Sequence, residues 1–342
     1  MFGISTAGAA PVLGQAIRAK IEALLQPQLA AWAAAARAVR ANLNAHIPMG
    51  PARREAWRRF ADRALSARAA PKDWDLVRVS EAAAQPGGSV ALVGAGPGDP
   101  ELLTVKALRA LQSADVILYH RLVSAEILEL ARREARRILV GKAGHAPSCR
   151  QDDINALMLK LARAGRRVVR LKGGDPSIFG RAAEEIDVCR RASIAVEVVP
   201  GITAASGAAA ELALPLTDRR STRRLQFVTG QAKDGDVPNH DWASLADPWA
   251  TTVFYMGARA MAAMPPRLLG AGLDPDTPAL AGSGATTPRR GHVFCRAGEL
   301  TRAIGGLDRS EPCLVMIGYS VSSPGSRREP RLPQGQAKQG LR

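Results

Sequence analysis

Long apolar runs are missing from this 342-residue chain. No uninterrupted stretch approaches the roughly 18 apolar residues that a membrane helix needs. The N-terminus has no basic segment leading into an apolar core, the pattern of a signal peptide. Cysteine is scarce, with Cys149, Cys189, Cys295 and Cys313 far apart and no Cys-x-x-Cys pair. That spacing argues against a zinc site or a disulfide framework and for reduced thiols in a cytoplasmic protein. Aromatic residues make up only 4%, and no basic stretch is interleaved with them. A surface for stacking nucleic-acid bases is therefore not expected. Acidic groups are also short, 31 against 47 basic ones, for a formal net charge of +16. With nucleic acid and membrane set aside, such a surplus suits an acidic small molecule.

What is present is 46% hydrophobic residues, enough for two or three cores in a chain of this length. Residues 1–85 are rich in alanine and arginine, with 12 basic and 6 acidic side chains. Their spacing predicts three helices, from Pro11 to about Leu25, from Gln28 to Leu43 and from Arg53 to Ala67. Pro27 and the run Pro48-Met49-Gly50-Pro51 separate them. Gln85-Pro86-Gly87-Gly88 reads as a linker. From there apolar runs alternate with helical patterns, the mark of a parallel α/β sheet. Val90–Val93, Val116–Tyr119, Arg137–Val140, Val168–Leu171 and Val196–Val199 read as strands, with helices near 104–113, 124–134, 151–164 and 180–192. A second lobe follows, with strands expected at Leu225–Thr229, Thr251–Tyr255, Ala279–Gly282, His292–Arg296 and Cys313–Ile317. The expected domains are 1–85, helical; 86–202, parallel α/β; and 203–321, mixed α/β. Residues 322–342 form a basic tail whose Pro, Gly and Gln content predicts disorder.

The stretch from Val90 to Val105 organises the rest. A short apolar strand runs into Gly94-Ala95-Gly96-Pro97-Gly98-Asp99, and acidic residues then open a helix. Strand, glycine loop and helix together make a nucleotide-type site. The dinucleotide fingerprint fails on spacing, because its glycines stand at positions one, three and six. Here they stand at one, three and five, and Asp99 in the sixth place would repel a pyrophosphate. Lys172-Gly173-Gly174-Asp175-Pro176-Ser177-Ile178-Phe179-Gly180-Arg181 follows the fourth strand, and Pro200-Gly201-Ile202-Thr203-Ala204-Ala205-Ser206 the fifth. Ligands of parallel sheets sit beyond the carboxyl ends of strands. The plain alternatives are a helix-entry turn with Asp175 as its cap and an ordinary connection with Thr203 as an N-cap.

Taken with Phe254-Tyr255-Met256-Gly257, these strings resemble the tetrapyrrole methylases over roughly residues 88–320, in the uroporphyrinogen-III C-methyltransferase branch. The resemblance implies a two-lobed fold, S-adenosylmethionine as cofactor, and methylation of uroporphyrinogen III to precorrin-2 on the route to siroheme and cobalamin, with no metal needed. It implies cofactor contacts at Pro97, Gly173, Gly174, Asp175, Ile178, Thr203, Ala204, Met256 and Gly284. Proton acceptor and donor would be His120 and Lys142. Two positions depart from the family strings. His120 in Tyr119-His120-Arg121-Leu122-Val123 stands where the family has aspartate, and Ala143 after Gly141-Lys142 replaces an arginine. A non-catalytic tetrapyrrole-binding relative and a methylase of a later precorrin are the alternatives. Ile4-Ser5-Thr6-Ala7-Gly8-Ala9-Ala10-Pro11 resembles the entry to the helical dimerisation region of siroheme synthases, which implies a homodimer. It also implies a chain without the NAD-binding half, expected to lack the dehydrogenase and chelatase activities. Pro215-Leu216-Thr217-Asp218-Arg219-Arg220 offers a basic contact for an acidic substrate.

Overall fold

The structure, a computed structural model, describes residues 10–24, 28–47, 49, 51–66, 69, 71, 88–141, 150–230, 236–255, 261, 263–308 and 310–322. The chain divides into two compact units, Met1–Gly87 and Gly88–Arg342. Among the described residues no helix is long and apolar enough to cross a membrane.

In the first unit, α1 (Pro11–Leu24), α2 (Leu29–His46) and α3 (Pro51–Ser66) form where the apolar spacing places them. Trp32, Val39 and Leu43 of α2 bury against Ala56, Phe60 and Ala64 of α3. The Trp32 and Phe60 rings meet edge to face at 5.4 Å. The turn between the two helices is held by Arg53, whose Nε donates to the Ile47 carbonyl at 2.7 Å.

The second unit holds both sheets, so the expected division near residue 203 falls inside one compact body. Its first sheet comprises β1 (Ser89–Gly94), β2 (Val116–Tyr119), β3 (Arg136–Leu139), β4 (Arg167–Lys172) and β5 (Ala195–Val199). The order is β3-β2-β4-β1-β5, all parallel. Side chains alternate between its faces. Val93, Ile117, Val169 and Leu171 pack with α4 (Val105–Ser113) and α5 (Ala125–Glu129). Val90, Leu92, Val116, Leu118 and Val168 pack with α6 (Gln151–Arg163) and α7 (Ala182–Arg191). The helices change face between the crossovers that follow β1 and β4, which are neighbours in the sheet. That makes a topological switch point, with a crevice at the carboxyl ends of these two strands.

One expected helix is shorter than its pattern. Residues 124–134 read as helical, but α5 ends at Glu129. Leu130 and Ala131 donate to Ile127 and Leu128, three positions back, and tighten the last turn. The chain must then reverse within a few residues so that Arg136 can pair with Val116.

Thr203 leads from β5 into α8 (Ala204–Glu211) and the second sheet. That sheet comprises β6 (Arg224–Thr229), β7 (Ala250–Tyr255), β8 (Pro278–Ser283), β9 (Gly291–Arg296) and β10 (Cys313–Ile317), in the order β6-β7-β10-β8-β9. Only the β6–β7 pair is parallel. One face packs on α9 (Trp242–Leu245), α10 (Met264–Gly270) and α11 (Leu300–Gly305) through Leu245, Met264, Leu268, Leu300 and Ile304. The other covers Ala205 and Ala208 of α8 with Val253, Leu280, Leu314 and Met316.

Candidate active site

Three chain segments meet at the carboxyl ends of β1, β4 and β5. The backbone is so close there that side chains are excluded. A Cβ on Gly201 would lie 2.3 Å from the Gly174 carbonyl oxygen and 2.9 Å from the Gly94 Cα. One on Gly94 would lie 2.6 Å from Gly201. No real Cβ tolerates such contacts, so glycine at these positions is a steric requirement.

The two glycine loops bond to each other. Gly174 N–H donates to the Gly96 carbonyl at 2.6 Å, and Gly96 N–H donates back to Gly174 at 3.2 Å. The Asp175 carboxylate accepts from Ser177 N–H at 2.7 Å and from Gly201 N–H at 3.0 Å. It therefore caps no helix. Instead it closes its own turn and ties that turn to the loop after β5. The Ile178 N–H donates to the Asp175 carbonyl at 3.2 Å.

Gly173 faces the Leu122 side chain, 3.4 Å from where its Cβ would lie, and Gly174 is less crowded. A Cβ on Gly174, whose φ is +67°, would have the Ala204 nitrogen at 3.9 Å and the Thr203 Cα at 4.0 Å as its nearest neighbours. A side chain there would lie against the Thr203–Ala204 backbone. Thr203 and Ala204 form one wall. On the other side, Pro97 packs against α8, where a Cβ on Gly207 would strike the Pro97 ring at 2.6 Å. Gly284, at φ +57°, starts the 284–287 turn. The Thr286 hydroxyl of that turn accepts from Asp99 N–H at 3.1 Å. Pro97, Gly173, Gly174, Asp175, Ile178, Thr203, Ala204 and the turn begun by Gly284 thus belong to one connected group of loops. Met256 and Lys142 lie outside the described residues.

Next to this crevice sits a buried group of charges that sequence reasoning passed over. On β4, Val169 and Leu171 face one layer of helices while Arg170 and Lys172 face the other. Both cations are buried, and both bond to Glu185 of α7, which is fully buried. Arg170 Nε donates to Glu185 Oε1 at 2.9 Å, and Lys172 Nζ bonds to Oε2. Gln151 is a third donor to the carboxylate, reaching Oε1 at 3.0 Å. His120, just past β2, completes the cluster with its Nε2 against Arg170 Nη2. Burial, then the charges of Arg170 and Lys172, lower the His120 pKa to about 4, with Glu185 opposing. Burial also lowers that of Lys172. The available signal was two cations in alternate positions of an apolar strand, which only a partner anion could stabilise.

The basic run after α8 is partly committed. Arg220 pairs with Asp218 at 3.2 Å, and Arg224 pairs with Asp247 at 2.7 Å.

A parallel sheet with glycine loops at its switch point, followed by a mixed sheet, defines a class of two-lobed ligand-binding α/β proteins. Residues 89–301 match the family model of the tetrapyrrole (corrin/porphyrin) methylases, and the chain belongs to that family. It is similar to the siroheme synthase of Methylococcus capsulatus, 44% identical over 330 residues, which covers 94% of this chain and 70% of the relative. It is also similar to that of Neisseria meningitidis, 46% identical over 325 residues, 94% and 67%. Among solved structures it resembles the uroporphyrin-III C-methyltransferase of Thermus thermophilus in complex with S-adenosyl homocysteine. That match has a TM-score of 0.59 and 41% identity, over 68% of this chain and 99% of that one. A cobalt precorrin-4 methyltransferase aligns with a TM-score of 0.60 at 28% identity, over 68% and 96%.

Proposed function

We propose that the chain is a uroporphyrinogen-III C-methyltransferase, using S-adenosylmethionine to methylate the tetrapyrrole to precorrin-2 in siroheme or cobalamin synthesis. The observation that carries this reading is the pair of glycine loops after β1 and β4, hydrogen-bonded to each other at the switch point, with only backbone presented at Gly174. The solved relative with the higher identity is a uroporphyrin-III enzyme complexed with the demethylated cofactor. That favours the uroporphyrinogen branch over a later precorrin, since the precorrin-4 enzyme stands at 28%.

The residues present fit the cofactor. Pro97, Gly173, Gly174, Asp175, Ile178, Thr203, Ala204, Met256 and Gly284 are the proposed contacts. Bare backbone at Gly174 lets a ligand approach closely, with Thr203 and Ala204 beside it. When bound, the cofactor supplies an activated methyl group. The chain's own contribution is to hold the methyl donor and the pyrrole carbon in line in a cleft shielded from water. Surplus arginine and lysine suit the substrate carboxylates. Proton transfer, in this reading, takes place beyond the end of β2, the rim that carries His120, with Lys142 as the proposed donor. In solution the proposed assembly is a cytoplasmic homodimer.

The test is an anaerobic assay with uroporphyrinogen III and methyl-labelled S-adenosylmethionine. Label should enter the tetrapyrrole twice per molecule. Cofactor binding without transfer to uroporphyrinogen III, together with transfer to a later precorrin, would overturn the substrate assignment.

A further inference from the structure

The cluster around His120 has an odd composition. Two basic side chains, Arg170 and Lys172 of β4, share one carboxylate, Glu185 of α7. Gln151 of α6 donates to that same carboxylate and to Asn155, so α6 contributes polar but uncharged groups. The fourth member is an imidazole at the end of β2. Arg170 also reaches the Leu118 carbonyl through Nη1, at 3.4 Å. Its guanidinium is therefore spent on three acceptors, the Glu185 carboxylate, the Leu118 carbonyl and His120 Nε2.

A guanidinium has only donors. The atom that faces its Nη2 must therefore offer a lone pair, so Nε2 is unprotonated and the ring proton sits on Nδ1. Gly141 lies against that other nitrogen, since a Cβ there would be 3.2 Å from Nδ1. A second proton on the ring would set an imidazolium N–H against a guanidinium N–H. It would also add a third cation to a buried site that holds a single anion.

We propose that His120 is a positioning residue, neutral at the pH of the reaction, which holds Arg170 and with it the loop ends of β2 and β4, and is not the proton acceptor of the reaction. This rests on the methyltransferase reading, and it deepens it. Proton uptake at Nε2 would need Arg170 to leave, and Nδ1 already carries its hydrogen. The lowered pKa of His120 agrees with this. What the imidazole supplies is an acceptor at fixed reach from β2. Arg170 and Lys172 then stay aligned on Glu185, and Gly173–Asp175, which follow directly, keep their place beside the Gly96 loop.

Two measurements test the proposal. The first uses the whole protein without substrate, so it stands or falls apart from the activity. Histidine nitrogens are labelled with 15N and followed by NMR from pH 5.5 to 8, and the His120 ring is assigned by its loss in His120→Gln. A neutral ring protonated at Nδ1 across the range is expected. A ring that titrates between pH 6 and 7, or that carries its proton on Nε2, overturns the proposal.

The second compares methyl transfer by His120→Gln, whose amide oxygen falls near Nε2, with His120→Leu, which has no acceptor. Both are first confirmed to bind S-adenosyl homocysteine. His120→Leu should lose at least tenfold in kcat. His120→Gln should regain most of that loss, with a pH–rate profile from pH 6 to 9 parallel to the wild type, although glutamine cannot serve as a base. A glutamine variant as slow as the leucine one would make His120 the base. Two variants both as fast as wild type would remove any role. An inactive wild-type enzyme would count against the proposed function, and the NMR result would still decide the state of His120.

Discussion

Thr203 Oγ1 lies 2.6 Å from the Tyr255 hydroxyl oxygen, a hydrogen bond between the start of α8 and the end of β7. The same phenol oxygen accepts from Ala205 N–H at 3.3 Å. Thr203 occupies the N-cap position of α8 but makes no side-chain cap bond there. Tyr255 does that work instead, reaching from the second sheet to a buried first-turn backbone donor of the helix. Phe179 packs tilted against the Tyr255 ring at 5.3 Å, and Phe227 meets it edge to face at 5.5 Å. One tyrosine thus joins the Gly173–Arg181 loop, the wall at Thr203–Ala204 and the second sheet.

Tyr255→Phe keeps both ring contacts and removes the oxygen. Thr203 and the Ala205 N–H lose their shared partner, which costs about 1–3 kcal/mol when the groups stay dry. Urea denaturation should show a loss in that range, and calorimetry should show weaker binding of S-adenosyl homocysteine as the wall loosens. A loss below about 0.5 kcal/mol would mean that water replaces the phenol.

Asp175→Ala should weaken cofactor binding by about 1–3 kcal/mol. Two donors, Ser177 N–H and Gly201 N–H, lose their acceptor. The loop after β4 then comes free of the loop after β5. Unchanged calorimetric affinity would remove Asp175 from the site.

Gly201→Ala should destabilise the fold by about 1–3 kcal/mol through overpacking, because its Cβ would meet the Gly174 oxygen at 2.3 Å. Gly270→Ala is the control. A Cβ there meets nothing within 4 Å, and the change at such a site stabilises by about 0.4–1 kcal/mol. Thermal melts of the two variants should move in opposite directions. Equal shifts would show that the glycine crossing is slack.

Acid should weaken the fold through His120. Its pKa in the folded protein is about 4, below the ordinary 6.5 of a free histidine. The unfolded chain therefore binds the extra proton first as pH falls. The stabilising effect of the neutral ring is complete above pH 6.5 and is lost between 6.5 and 4. The full shift corresponds to about 3 kcal/mol, less whatever solvent screens at this partly exposed ring. Denaturation midpoints of wild type and His120→Gln should diverge over that window, with the variant losing less. Parallel curves would show that His120 is free to protonate in the fold.

Local pattern was enough for the strands. The apolar run Val90–Val93 became Ser89–Gly94, and Cys313–Ile317 was found as read. A strand buried on both faces writes itself as a continuous apolar run, and that signal needs no partner. The glycine motifs were equally plain, because a loop that must admit a ligand at its backbone has few residue choices. The sequence alone therefore determined the α/β class, the order of elements and the family. It did not determine what stands beside what. The 124–134 pattern is helical by spacing, yet α5 stops at Glu129 because β3 has to register against β2. Glu185 and Arg170 are 15 positions apart, and Thr286 and Asp99 are 187 apart. Their meeting depends on which face each helix covers and on β1 lying between β4 and β5. Only the tertiary structure decided that, because side-chain alternation says which residues share a face but not what will pack against it. His120 is the clearest case: its place at the end of a strand was readable, while its lowered pKa comes first from burial and then from Arg170, which the parallel pairing of β2 with β4 brings to it.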